Sequence, residues 1–108
     1  MSYHFCHMSS VRLFVYGSLK RAGRHHDQLK GARFLGEVET LAGYALEPLG
    51  DYLALVAVPG AGSVSGELFE IRRSLLTALD DFEGAAYIRR QVGLRDETIA
   101  LAYFKKAR

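Results

Sequence analysis

The amino-acid sequence predicts a small α+β domain with a mixed, mostly antiparallel, barrel-like sheet and one main helix. Short runs of β-branched and aromatic residues recur along the 108 residues, separated by turns that contain glycine. One segment, residues 74–82, changes to the helical period. Because strands and helices do not alternate regularly, a doubly wound parallel sheet is disfavoured.

The strand segments follow one another with recognisable breaks. The first, VRLFVY at residues 11–16, is an apolar, β-branched and aromatic run. The polar segment 17–31 contains three glycines and predicts a loop, with a short helix near residues 26–30. Two glycines within residues 32–46 predict one or two strands with a bend. Further strands are predicted over residues 52–58, 63–71, 87–95 and 98–104.

The helix is predicted from the spacing of its apolar residues. They recur at i, i+1, i+4 and i+7, which places them on one face towards the core: Leu75, Leu76, Leu79 and Phe82. Ser74 is a candidate N-cap, and Gly84 follows where a residue with positive φ can end a helix.

The composition is that of an ordinary globular protein, with 49% hydrophobic and 24% charged residues. No apolar run approaches the ~20 residues of a membrane-spanning helix, and no secretory signal is visible. The lone Cys6 can form neither an internal disulfide nor a cysteine-based zinc site. We expect a cytoplasmic protein with no membrane partner, with residues 1–10 as an N-terminal leader and residues 11–108 as a single domain.

The net charge is +2, but its distribution is uneven. Residues 11–36 carry six basic residues and one acidic residue, whereas residues 37–83 carry nine acidic and two basic residues. These charges can be solvated faces that mix in the fold, or they can form a basic cavity mouth suited to an anionic small molecule. Without a long basic run or an RNA-binding aromatic motif, no nucleic-acid partner is expected.

The motif Tyr16-Gly17-Ser18-Leu19 directly follows the first predicted strand. Glycine at this point lets the backbone turn sharply and approach a ligand closely. Successive N–H groups in such a turn can bind an anion or form an oxyanion hole for acyl transfer. From these four residues alone, an ordinary turn at the end of a strand is the simpler interpretation.

A second motif, LDDFEG, ends the predicted helix. Glu83 follows Leu79 by four residues, so it lies near the apolar face. It also lies in the last helical turn, where the helix dipole disfavours a carboxylate, and Asp80 and Asp81 add like charge. Burial, dipole and neighbours should all raise the pKa of Glu83, as a general base working near neutral pH requires. The alternative is an acidic, solvated end of a helix.

Two further features are weaker. His25 and His26 are adjacent, but no partner cluster has metal-binding spacing, so we predict a polar loop and no metal site. Tyr87 can support a ligand pocket while Arg89 pairs with an acid. The alternative is a strand with an exposed arginine pair.

In combination, these motifs resemble the gamma-glutamylcyclotransferase-like proteins, and most closely their short gamma-glutamylaminecyclotransferase branch. The resemblance spans about residues 11–104 and is carried by LFVYGSLKRAGRHH, GARFLG, GELFEI and LDDFEGAAYIRR. YGSL alone is a weak signal, but YGSL followed by LDxxEGxxYxR in a chain this short is fairly specific. The resemblance implies a small β-barrel with flanking helices and a cavity whose rim is the YGSL loop.

The resemblance also implies an activity, of the transferase or lyase type. The substrate's α-amine would attack its own γ-amide carbonyl, closing 5-oxoproline and releasing a free amine, with no protein nucleophile and no metal or organic cofactor. Glu83 would be the catalytic proton acceptor and donor. The residues that hold the γ-glutamyl substrate would be Tyr16, Gly17, Ser18, Leu19, Tyr87 and Tyr103.

Departures from the family pattern leave the substrate's identity open. No extra loop separates Glu83 from Tyr87, and the last predicted strand lacks a tryptophan. The leaving amine can be an amino acid, a lysine-type amine, a polyamine or a modified antibiotic amine. A monomer and a homodimer are both compatible with the sequence.

Two other functions stay open as alternatives. A non-catalytic module that binds a small ligand would have the same cavity without turnover. A structural or interaction domain would have no cavity of ligand size, with Glu83 salt-bridged, for example, to Arg89.

Overall fold

The computed structural model of the protein describes residues 9–106, which form seven strands, one α-helix and one short 3-10 helix. The strands are β1 (Ser10–Val15), β2 (Arg33–Glu39), β3 (Tyr44–Leu49), β4 (Tyr52–Ala57), β5 (Ser65–Arg72), β6 (Tyr87–Gly93) and β7 (Ile99–Lys105). The helix α1 spans Leu75–Glu83, and the 3-10 helix spans His26–Gln28. Every predicted strand is present, and residues 32–46 hold two of them. Residues 1–8 lie outside the described part, so the N-terminal leader stays a prediction.

The seven strands form one sheet in the order β2-β5-β1-β7-β4-β3, and β6 pairs with β7 outside that path. Most pairs are antiparallel, but β7 runs parallel to both β1 and β4. Because β6 occupies one edge of β7 along its whole length, β1 and β4 share the other edge. β1 pairs with β7 at Leu101 and β4 pairs with it at Phe104. The two strands therefore diverge between these positions, and the chain that follows β1 leaves the sheet there.

The predicted α+β class is confirmed, but the predicted barrel is not closed. Within the described residues, one isolated bridge between Thr40 and Leu94 connects the end of β2 to the end of β6. Thr40 is fully buried, and its hydroxyl group accepts a hydrogen bond from the Val64 N–H and donates one to the Leu41 carbonyl oxygen. β2 and β6 approach each other only at these ends, so the sheet is a strongly curved, open one.

Alternation along β1 divides the core into two clusters. Leu13 and Val15 pack with Leu79 of α1 on one side of the sheet. Phe14 points to the opposite side and packs with Leu55 of β4. A strand that is packed on both faces is held in place, because any displacement would open gaps in a close-packed core. The loop that starts at Tyr16 is consequently attached to a strand that is packed on both faces.

The helix α1 packs through Leu76 and Leu79 and stops at Gly84. Gly84 has φ 82° and ψ −174°, a region used almost only by glycine, so the predicted helix end is confirmed. Ser74 occupies the N-cap position, but its side chain makes no capping hydrogen bond. Phe82 does not face the core as predicted: it is 37% exposed, because one turn beyond Leu79 the helix has passed the buried cluster. No helix within residues 9–106 combines the length and the apolar character needed to cross a membrane.

Candidate active site

A cavity of about 540 Å³ opens between the end of β1, the loop after it, the end of α1 and the β3–β4 turn. Small-molecule sites commonly have volumes of roughly 300–1,000 Å³, so a ligand of ordinary metabolite size fits. All seven residues that the sequence singled out line this cavity: Tyr16, Gly17, Ser18, Leu19, Glu83, Tyr87 and Tyr103. The structural-domain alternative expected no such cavity and is therefore disfavoured.

Glu83 is the last residue of α1, and its carboxyl group lies half-buried in the cavity wall. Burial raises the pKa of Glu83 from 4.5 to about 7. Its side chain makes no hydrogen bond or ion pair with any described residue. A carboxyl group that is desolvated, unpaired and close to half-ionised at neutral pH can both accept and return a proton.

Arg89 pairs with Asp80 and not with Glu83, contrary to the expectation of the structural-domain alternative. Its Nη1 atom lies 3.1 Å from both carboxylate oxygens of Asp80, and the Tyr103 hydroxyl group donates a 2.6 Å hydrogen bond to the same carboxylate. The charge of Asp80 is thereby compensated locally. Of the three expected causes, burial is the one that raises the pKa of Glu83.

The loop after β1 contains three consecutive backbone N–H groups without an acceptor among the described residues. The N–H groups of Gly17, Ser18 and Leu19 donate to no group within residues 9–106, although all three residues line the cavity. The loop is held instead by its carbonyl groups: the Gly17 oxygen accepts from the Lys20 N–H at 3.0 Å, and the Ser18 oxygen accepts from the His25 N–H at 2.9 Å. Consecutive free N–H groups on a rigid loop can bind an anion or stabilise a developing oxyanion.

The tyrosine hydroxyl groups of the cavity are already engaged by the protein. Tyr16 donates to the carbonyl oxygen of Tyr103 at 2.5 Å, Tyr87 donates to the carbonyl oxygen of Leu53 at 3.1 Å, and Tyr103 donates to Asp80. Burial is the main cause of a raised pKa in all three, so they stay protonated at neutral pH. A ligand therefore meets mainly their rings.

Five of the remaining lining residues surround the mouth: His25, Asp51, Tyr52, Leu53 and Phe82. Sequence reasoning assigned none of them to the site. The His25 ring packs edge-on against Phe82 at 5.1 Å between centroids, and its Nε2 atom lies 3.4 Å from the Tyr52 hydroxyl oxygen. For His25, the signal available in the sequence was the polar composition of the predicted loop around it. Asp51 lies in a hairpin turn and carries no such signal.

Of the two alternatives for the uneven charge distribution, the basic cavity mouth is wrong. No lysine or arginine among the described residues lines the cavity, and its charged side chains are the carboxylates of Glu83 and Asp51. Two basic residues of the N-terminal half pair with carboxylates of β5 instead. Arg21 pairs with Glu67 at 3.3 Å, and Arg33 pairs with another carboxylate of β5 at 3.3 Å.

The two adjacent histidines have separate contacts. His26 Nδ1 lies 2.8 Å from the Leu19 carbonyl oxygen, whereas His25 contacts Tyr52. In the part of the chain that the structure describes, no group of three His, Cys, Asp or Glu side chains is arranged to hold a metal ion.

Comparison with known proteins yields one family. A family model described as "Gamma-glutamyl cyclotransferase, AIG2-like" matches residues 13–108. A rat (Rattus norvegicus) protein named gamma-glutamylaminecyclotransferase is 36% identical over 93 residues. That match covers 79% of this chain and 62% of the rat protein, so the chain spans less than two thirds of that relative's length.

Two further proteins are similar in sequence or structure. The gamma-glutamylcyclotransferase family protein YtfP of Escherichia coli K12 is 36% identical over 84 residues, which cover 76% of this chain and 72% of that protein. The crystal structure of an AIG2-like protein from Mus musculus superposes with a TM-score of 0.76 at 28% identity, covering 89% of this chain and 77% of the mouse chain.

Proposed function

Because the chain belongs to the gamma-glutamyl cyclotransferase, AIG2-like family, we propose that it is a gamma-glutamyl cyclotransferase that releases 5-oxoproline and a free amine. In this reaction the α-amine of the substrate attacks its own γ-amide carbonyl carbon. A C–N bond closes the five-membered lactam, and the original amide C–N bond breaks. The single observation that carries the proposal is the half-buried, unpaired carboxyl group of Glu83 in a cavity that is also lined by residues 17–19, whose backbone N–H groups are free.

Glu83 acts first as the proton acceptor and then as the proton donor. The attacking α-amine must lose a proton as the new bond forms, and the carboxylate takes it. The departing nitrogen must gain a proton, and the same carboxyl group returns it. A pKa of about 7 suits both steps, because neither proton transfer is then strongly uphill at neutral pH.

The loop after β1 would stabilise the negative charge that develops during the reaction. The carbonyl oxygen becomes negatively charged as the tetrahedral intermediate forms, and N–H groups of residues 17–19 would donate to it. The α-carboxylate of the substrate also needs donors. Since no lysine or arginine among the described residues lines the cavity, the backbone N–H groups of this loop are candidate donors to that carboxylate.

Proximity supplies the rest of the acceleration. The nucleophile and the carbonyl group belong to one molecule, so no second reactant has to be captured. The packed rings of Tyr16, Tyr87 and Tyr103 would hold the glutamyl chain folded for the attack. Their engaged hydroxyl groups make these rings fixed walls that need no rearrangement when the substrate binds.

The test is release of 5-oxoproline, followed by mass spectrometry, from a panel of γ-glutamyl amino acids and γ-glutamyl amines. Glu83→Gln should lower turnover by about 10²–10⁴-fold, the usual contribution of a general acid–base. Asp81→Asn is the matched control, because Asp81 is exposed on the same helix and does not line the cavity. Equal turnover by Glu83→Gln and wild type would disprove the role of Glu83. Saturable binding without release from any panel member would favour the non-catalytic module.

A further inference from the structure

Asp51 is the acidic side chain among the described residues at the mouth of the cavity. Asp51 lies in the two-residue turn between β3 and β4, exposed to solvent, and lines the cavity together with Tyr52. No lysine or arginine of the described chain lines the same cavity. From this arrangement we infer that Asp51 is the residue that determines leaving-group specificity, and that it selects γ-glutamyl amides whose leaving amine carries a second positive charge. The inference rests on the proposed function.

The walls beside Asp51 are aromatic. His25 contacts both Phe82 and Tyr52, with ring centroids 5.1 Å and 6.1 Å apart, so the three rings form one continuous rim. Phe82 is 37% exposed and Tyr52 is 45% exposed, which leaves ring surface accessible to a ligand. Aromatic surfaces next to a carboxylate are the chemistry that recognises an alkylammonium group, since the methylene chain packs on the rings and the cation meets both the π electrons and the carboxylate.

The rim is held in place, which selectivity requires. Leu49 and Tyr52 pair directly across the hairpin, and Gly50 adopts φ 62° to close the turn that presents Asp51. The Tyr87 hydroxyl group donates to the Leu53 carbonyl oxygen, which attaches the start of β4 to β6. The carboxylate is therefore carried by a tight turn that is anchored immediately after it.

The charge of the rim also argues against one class of leaving group. An amino acid released from its γ-glutamyl amide carries a carboxylate near the scissile bond. In this cavity that carboxylate would approach Asp51 with no lysine or arginine of the described residues to compensate it. A diamine presents the opposite charge, at the far end of its methylene chain. Diamine conjugates should therefore be preferred over neutral isosteres, and neutral isosteres over anionic ones.

The experiment compares three substrates of equal chain length: the γ-glutamyl amides of 1,4-diaminobutane, n-pentylamine and 5-aminopentanoate. They end in an ammonium, a methyl and a carboxylate group. In wild type, kcat/KM for the diamine conjugate should exceed that for the pentylamine conjugate by about tenfold. This ratio corresponds to the combined free energies of a partly exposed ion pair and a cation–π contact. Asp51→Asn should lower this ratio to about threefold, because the ion pair is lost and the cation–π contact stays, and Asp51→Lys should invert it towards the carboxylate substrate. Asp27→Asn removes the same charge from an exposed site that does not line the cavity, and should keep the wild-type ratio.

Two outcomes separate this inference from the proposed function. Turnover of all three substrates with no charge preference, or with a preference that Asp51→Asn does not change, would overturn the inference and leave the reaction standing. If no substrate turns over, calorimetric binding of the same three compounds decides. Tighter binding of the diamine conjugate that depends on Asp51 would support the inference without the reaction, and equal binding of all three would overturn it.

Discussion

The hydroxyl group of Tyr16 lies 2.5 Å from the carbonyl oxygen of Tyr103 and also accepts a hydrogen bond from the Leu55 N–H at 3.1 Å. These contacts join the end of β1 to β7 and β4 at the point where β1 and β4 diverge along the shared edge of β7. One side chain thus satisfies two backbone groups that the diverging strands cannot pair with each other. The ring of Tyr16 lines the cavity beside this junction, so the same residue supports the fold and shapes the site.

Tyr16→Phe should destabilise the protein by about 1–3 kcal/mol, because it leaves a buried donor and a buried acceptor without their partner. Urea unfolding followed by circular dichroism measures this change. Tyr44→Phe is the matched control, since Tyr44 is half-buried but its hydroxyl group has no hydrogen-bond partner among the described residues. Similar losses in both variants would contradict the role assigned to the Tyr16 hydroxyl group.

The pH dependence of kcat/KM should show an acidic limb with an apparent pKa of about 7, the value to which burial raises Glu83. Below that pH the carboxyl group is protonated and cannot accept the proton of the α-amine, so activity falls. Steady-state release of 5-oxoproline between pH 5 and pH 8 measures the limb. A limb near the ordinary glutamate value of 4.5 would show that Glu83 is not the group that titrates.

Glu83 should also make stability depend on pH. Its pKa is 4.5 in the unfolded chain and about 7 in the folded protein, so the folded state binds more protons between these values and stability falls as pH rises through them. At about 1.4 kcal/mol per pKa unit, this shift corresponds to at most about 3.5 kcal/mol of stability, and exposure of the carboxyl group to the open cavity reduces the effect. The difference in unfolding free energy between Glu83→Gln and wild type should therefore grow from pH 5 to pH 8. With Asp81→Asn as the control, no such growth is expected, and a flat difference for Glu83→Gln would contradict the raised pKa.

Gly84→Ala should cost about 1–3 kcal/mol of stability, because φ 82° with ψ −174° is a conformation nearly restricted to glycine. The space around Gly84 is open, so the cost is one of backbone conformation and not of a clash. Gly62→Ala is the control: its surroundings are equally open and its φ is not in the positive region. Thermal unfolding compares the two. Since Glu83 precedes this residue, Gly84→Ala should also lower kcat, and unchanged kcat and stability would refute both effects.

The family resemblance of the motifs pointed to seven residues that line the cavity, and the sequence alone was sufficient for the class of fold and the approximate positions of the strands and helix. These features depend on local patterns. Alternation in β1, the helical period up to Leu79 and the glycine at position 84 are each imposed by nearby residues and by backbone geometry. The YGSL and LDDFEG motifs could be recognised because each is a short, contiguous run of residues, and their occurrence in one chain carried the family resemblance.

The remaining features were decided by contacts between residues far apart in sequence. Whether Arg89 pairs with Asp80 or Glu83 depends on how β6 lies against α1. The sign of charge at the cavity mouth depends on which strands the basic residues fold onto, and Arg21 reaches Glu67 across the sheet. Asp51 joins the site only because the β3–β4 hairpin brings its turn beside Phe82 and His25. Local pattern therefore specified where the reacting groups lie along the chain. Only tertiary packing determined which charges are neutralised and which remain to meet a ligand, because ion pairing and burial are properties of the folded surface and not of sequence spacing.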